Sequence, residues 1–285
     1  MKSKQNTVWL LVALFAPLAH FSGSGWLTAV LTAAAVLPLT LVPKSWEGMG
    51  KPLTVVQLLW LGAVAGAMLT ESAAYWPSDN TLAVPLTILA LAAWTSTAAA
   101  PRTGAVAAFC VALLMIPALP SAAARIEPGW LKPTVGPWPW GLTLALLLPN
   151  MPTGEKGRGR GTWYAGAMAL ILSAIVQGTI SPGVAASVPD PFYQTARTLG
   201  HLEPVLAAAV TLGWYALVIY ILQSARHIAK ECKIGRIWAG VLVLCTAVVA
   251  VLLKWQLHAP FWSVLSAFLW VLTPFLTKNK KVENS

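Results

Sequence analysis

Four histidines and three cysteines are the side chains of this protein best suited to hold a metal or attack a substrate. Their spacing gives them neither task. His20, His201, His227 and His258 fall in four separate places, Cys110 and Cys245 lie in apolar stretches, and Cys232 lies in a basic one. No pair has the spacing of a zinc ligand set, and three scattered thiols build no disulfide framework. The sequence has no Walker-type glycine loop, no Ser-His-Asp arrangement and no His-Glu-x-x-His helix. The expectation is therefore a protein that is not an enzyme and has neither metal nor cofactor.

What remains are polar and helix-breaking residues set in apolar surroundings. Glu71, in Thr70-Glu71-Ser72-Ala73-Ala74-Tyr75-Trp76, is the best-placed acidic group, since a carboxylate at membrane depth usually faces protein or water. It would bind a cation or a substrate amine; the alternative is a helix-end carboxylate beside the interfacial Tyr75 and Trp76. Gly136-Pro137-Trp138-Pro139-Trp140-Gly141 disfavours a regular helix. It leaves either a short helix from about 141 with free N-terminal amides for an anion, or a Trp-anchored external loop. Ser22, Gly23 and Ser24, in His20-Phe21-Ser22-Gly23-Ser24-Gly25-Trp26, mark either an unwound stretch with exposed carbonyls or a tight turn. The run Lys156-Gly157-Arg158-Gly159-Arg160-Gly161 reads as a flexible linker, with docking of an acidic partner as the alternative.

The elements that must position these residues follow from composition. Of 285 residues, 57% are apolar and 10% charged, against about 25% charged in a soluble domain. Apolar runs long enough for a bilayer core recur throughout, at roughly 7–21, 24–42, 53–72, 82–99, 103–123, 136–150, 162–182, 203–225, 237–254 and 257–276. The alternation of a β-barrel is absent. The expected architecture is an all-α polytopic membrane domain of about ten helices spanning residues 1–285, its first segment a span rather than a cleaved signal.

Charge placement supports that count. With the N-terminus inside, 15 of the 19 basic residues fall on the cytoplasmic side, and only Arg125, Lys132, Arg197 and Lys254 fall outside. This is the asymmetry of the positive-inside rule. Both termini are then cytoplasmic, and the net charge of +10 attracts anionic lipid heads rather than nucleic acid, being spread over several loops. Short first and sixth spans, five apart, fit an inverted five-plus-five repeat of about 1–123 and 136–276.

Two stretches carry a resemblance. Val84-Pro85-Leu86-Thr87-Ile88-Leu89-Ala90-Leu91-Ala92-Ala93-Trp94, followed by Arg102 and by Trp130-Leu131-Lys132-Pro133, is one. Gly178-Thr179-Ile180-Ser181-Pro182-Gly183-Val184-Ala185-Ala186, with Pro191-Phe192-Tyr193-Gln194-Thr195-Ala196-Arg197 and then Leu202-Glu203, is the other. Together they resemble the permease-like B subunit of spore germinant receptors, in the amino acid–polyamine–organocation superfamily. The resemblance implies a LeuT-like fold in a bacterial cytoplasmic or spore inner membrane, and a nutrient, most naturally an amino acid, sensed or carried among other receptor subunits. It implies a ligand held by Ser22, Gly23, Ser24, Trp138, Trp140, Gly141 and Tyr215, with Glu71 added from the third span. Arg197 and Glu203 would be structural, pairing near the external mouth. The chain departs from the family in its shorter length, its first helix and the turn Gly23-Ser24-Gly25-Trp26. A non-transporting scaffold that keeps the fold without the site is the alternative function.

Overall fold

The computed structural model describes residues 50–72, 75–76, 81–95, 99–127, 161–188, 191–255 and 260–273. All of the regular structure among them is helical: α1 (Lys51–Ser72), α2 (Ala83–Trp94), α3 (Ala100–Met115), α4 (Leu119–Ala123), α5 (Gly161–Ile180), α6 (Pro182–Ser187), α7 (Pro191–Thr198), α8 (Glu203–Glu231), α9 (Arg236–Leu252) and α10 (Pro260–Ala267). Three stretches are long and apolar enough to cross a membrane: Lys51–Thr70, Ala100–Ala123 and Glu203–Glu231. Their outward faces are apolar too. Val106, Phe109 and Leu113 form an exposed stripe along α3, and Ile237 and Trp238 are exposed on α9. A water-facing helix would carry charge there.

The centre is built on close helix contact. Gly62 and Gly66 lie four residues apart on α1, the small-xxx-small spacing that lets two helices touch. A Cβ at Gly62 would come within 2.5 Å of the Val243 carbonyl oxygen, and one at Gly66 within 2.4 Å of the Ala247 carbonyl oxygen. The pairing 62 with 243 and 66 with 247 makes α1 and α9 parallel. The short Cys232–Gly235 turn makes α8 antiparallel to α9. It closes with Lys233 at φ 56° and the Ile234 N–H donating to the Ala229 carbonyl at 2.8 Å, a left-handed helix stop. Around this seam Leu61, Val64, Leu217, Ile221, Val243 and Ala247 are buried.

On its other side α1 meets α10, which runs the opposite way. Trp60 stacks on Trp262, with ring centroids 5.4 Å apart, and donates through Nε1 to Ser266 Oγ at 2.9 Å. One turn earlier along α1, Gln57 Nε2 donates to the Leu269 carbonyl at 2.8 Å. That carbonyl is free because α10 continues as a π-turn over Phe268–Leu272, in which the Thr273 N–H reaches back to Phe268, and Pro274 has no N–H to offer. Thr hydroxyls elsewhere are absorbed by their own helices: Thr70, Thr103, Thr179, Thr211 and Thr246 each donate to the carbonyl four residues back, as suits helices with no water beside them.

Prolines set the helix ends. Pro117 turns the end of α3 into a 3-10 turn over Ile116–Ala118, and Pro120 restarts α4. Ser181, at φ 62°, caps α6, whose first residue is Pro182. Gly178 brings α5 onto α4, a Cβ there falling 2.1 Å from the Ala122 carbonyl oxygen.

Candidate functional site

The sequence-predicted site residues divide sharply. Ser22, Gly23, Ser24, Trp138, Trp140 and Gly141 lie outside the described residues, as do the first, second and sixth spans and the Lys156–Arg160 run. Glu71 falls in the last turn of α1. Tyr215, Arg197 and Glu203 are described, and they lie in two different places.

Tyr215 sits in the middle of α8, half-buried. Its hydroxyl is hydrogen-bonded to the hydroxyl of Thr95, 120 residues away in the chain. Thr95 is where α2 stops: its backbone turns extended, at φ −82° and ψ 143°. The side chain also donates to the Leu91 carbonyl at 2.7 Å. A helix that ends after 12 residues covers about 18 Å, well short of the roughly 30 Å of a bilayer core. α2 thus ends at a pair of hydroxyls, one from its C-cap residue and one from α8. With the Thr95 proton on the Leu91 carbonyl, Tyr215 donates to Thr95, and the pair keeps only acceptor lone pairs for a small polar donor.

Next to Tyr215 along α8, the residues that follow α1 meet α7 and α8 in an aromatic cluster. Tyr75 contacts Tyr193 and Trp214 edge to face, with centroids 5.5 and 5.2 Å away. Trp76 Nε1 donates to Thr211 Oγ1 at 2.9 Å. Buried Phe192, Thr195 and Ala196 seat α7 on the bundle. These rings lock the residues that follow α1 to the third and fourth turns of α8, with the Tyr75 hydroxyl and the Trp214 indole nitrogen buried.

The expected Arg197–Glu203 pair is not the contact that forms. Gly200 at φ 116° and His201 at φ 58° reverse the chain between α7 and α8, so His201, not Arg197, fronts the carboxylate. His201 Nδ1 is 3.6 Å from Glu203 Oε1. The Arg197 side chain is exposed, and its carbonyl accepts the His201 N–H at 3.2 Å. Glu203 opens α8, where a carboxylate favours the helix dipole.

Among the described residues, grooves open on two flanks. One, of about 160 Å³, is lined by Thr70, Thr81, Leu82, Pro85, Val251 and Lys254. The other, of about 370 Å³, lies between the C-terminal turns of α8, the first turns of α9 and Ala93 at the end of α2, and carries Arg226 and Arg236. In sequence these two arginines read only as topology charges. Their separation by a helix end, a short turn and a helix start is the signal that they share one groove.

No trio of His, Cys, Asp or Glu comes together as a metal site among the described residues. Compared with known proteins, the chain matches no family model, no curated protein and no solved structure.

Proposed function

We propose that this chain is an integral membrane protein of ten spans with both termini cytoplasmic, serving as a non-transporting scaffold subunit in a membrane receptor assembly. The observation that carries this reading is the closed seam at Gly62 and Gly66, where α1 and α9 meet with a separation too small to hold even a methyl group. A solute path needs a wetted, polar-lined gap. The side chains around this seam are Leu, Val, Ile and Ala, with Thr246 against Gly62, its hydroxyl donating to the Leu242 carbonyl of its own helix.

Helix directions support the topology. α1 and α9 run parallel, and α8 and α10 both run opposite to them, as the third, ninth, eighth and tenth segments of a ten-span order would. The spore-germination character of the assembly, with its neighbouring receptor subunits, rests on the two stretches that resemble the germinant-receptor B subunit. It belongs to the same proposal, as does a place in a bacterial cytoplasmic or spore inner membrane. A five-plus-five LeuT-like repeat would follow from that kinship.

A second reading is favoured by the Thr95–Tyr215 hydroxyl pair at the end of α2: a sensor or permease for a small nutrient such as an amino acid. Thermal unfolding of the purified chain against an amino-acid panel separates the two. A ligand of the native state adds RT ln(1 + [L]/Kd), about 2.7 kcal/mol at one hundred times Kd. The scaffold reading expects no shift at millimolar ligand. A shift abolished by Tyr215→Phe or Trp140→Ala would replace it with the sensor.

A further inference from the structure

The larger groove combines features that neither a structural ion pair nor an ordinary lipid-facing surface would have. Its upper wall is cationic, with Arg226 from α8 and Arg236 from the first turn of α9. Its lower wall is apolar, formed by Leu222, Ile237, Val241 and Leu244. Both arginines are exposed, and among the described residues neither meets a carboxylate. The nearest acid along the chain, Glu231, holds His227 at 2.8 Å instead.

The groove also sits at a defined depth. At 29 residues, α8 is about 43 Å long, so its last turns extend beyond a hydrocarbon core of roughly 30 Å. The groove spans that boundary, guanidinium groups above and aliphatic side chains below. Trp238, 73% exposed, stands beside it in the first turn of α9, where an aromatic ring marks the headgroup level. Gly240, in the groove wall, leaves room: a Cβ built there meets no atom within 4 Å.

We infer that this groove binds one anionic glycerophospholipid, its phosphate between Arg226 and Arg236 and an acyl chain along Val241 and Leu244. Guanidinium groups present planar forks of donors matched to phosphate oxygens. Basic pockets between helices at the cytoplasmic surface are where such headgroups bind. A soluble anion would gain nothing from the apolar wall, and a neutral acyl chain nothing from the arginines. The inference rests on the membrane-spanning reading of the helices and is independent of whether the protein is a scaffold or a sensor.

The test is native mass spectrometry of the full chain in detergent, titrated with phosphatidylglycerol, phosphatidylcholine or inorganic phosphate. The wild type should retain one phosphatidylglycerol in the presence of a tenfold excess of phosphatidylcholine. Arg226→Gln with Arg236→Gln should lower that retention about tenfold, and Gly240→Leu should lower it by filling the groove while leaving both charges. Lys230→Gln, outside the groove lining, should retain the lipid. Helicity and thermal unfolding measured on each variant ensure that loss of lipid is not loss of fold. Equal retention of both lipids, undiminished binding by the double arginine variant, or displacement by millimolar inorganic phosphate would overturn the inference. Carbonate-resistant retention of the wild type is measured on the membranes from which the chain is purified. Its failure would instead refute the membrane reading beneath.

Discussion

A single methyl group, placed at two glycines, tests the packing of the bundle with opposite signs. At Gly66 the added Cβ would fall 2.4 Å from the Ala247 carbonyl oxygen and 2.5 Å from Ala250 Cβ, where ordinary contact begins at 3.4 Å. Neither neighbour can yield by rotating a side chain. One is backbone, fixed in α9 by its helix, and the other is a Cβ on the same helix. The helices must therefore separate by about 1 Å along a tightly packed seam, and overpacking of this kind costs about 1–3 kcal/mol. Against it stands the helix preference of Ala over Gly, about 0.5–1 kcal/mol. Gly66→Ala should thus destabilise by about 1–2 kcal/mol. Gly240→Ala, on α9 with no atom within 4 Å of its Cβ, keeps only the favourable part and should stabilise by about 0.5–1 kcal/mol.

The assay is far-ultraviolet circular dichroism of the purified chain in mixed micelles, titrated with a denaturing detergent, with both variants and wild type run together. Gly62→Ala should behave as Gly66→Ala does. The double variant should fall short of the sum, because one separation of α1 from α9 relieves both clashes. If Gly66→Ala proved as stable as wild type, or gained as much as Gly240→Ala, α1 and α9 would not be in contact. The closed seam, and the scaffold reading built on it, would then fall.

Other outcomes follow from particular contacts. Gln57→Leu removes the donor that satisfies the Leu269 carbonyl and should destabilise by about 1–3 kcal/mol, the cost of a buried acceptor left unmade; an unchanged midpoint in the same detergent titration would contradict the π-turn account. Reporter fusions should read cytoplasmic at Gly157 and external at Asp190, and an inverted result at either would break the ten-span order.

The sequence is legible where membrane physics is strict and opaque where it is not. Apolar length marks the third, fifth and eighth segments, because a helix in lipid must satisfy its own backbone. The same rule misplaces ends. The eighth segment reads as stopping at 225, yet α8 continues to Glu231, since Arg226, His227 and Lys230 are good residues for a helix that has left the hydrocarbon. The fourth reads as running to 99, yet α2 stops at Trp94. Nothing in Ala93-Trp94-Thr95-Ser96 breaks a helix by propensity, and Thr95 is held by Tyr215, a partner 120 residues away. Local rules hold no record of such a partner.

The same division runs through the functional residues. Gly62 and Gly66 carry a spacing that sequence alone can flag, because the requirement for small residues is local even though the partner is distant. Gln57 carries no such mark. A glutamine in an apolar run reads as a surface polar residue until α10 supplies a carbonyl that its own π-turn and Pro274 have left unmatched. Arg226 and Arg236 are intermediate. Their charges are plain, but a topology count treats them as interchangeable with Lys278 or Lys2. Only the turn at Cys232–Gly235, closing with Lys233 in a left-handed conformation, folds the two helix ends together, so that a pair of like charges meets across one apolar groove. Both guanidinium groups are exposed, so water and salt screen their repulsion. Loss of the lipid in the double glutamine variant is therefore the outcome that decides whether the pair serves a bound headgroup or only topology.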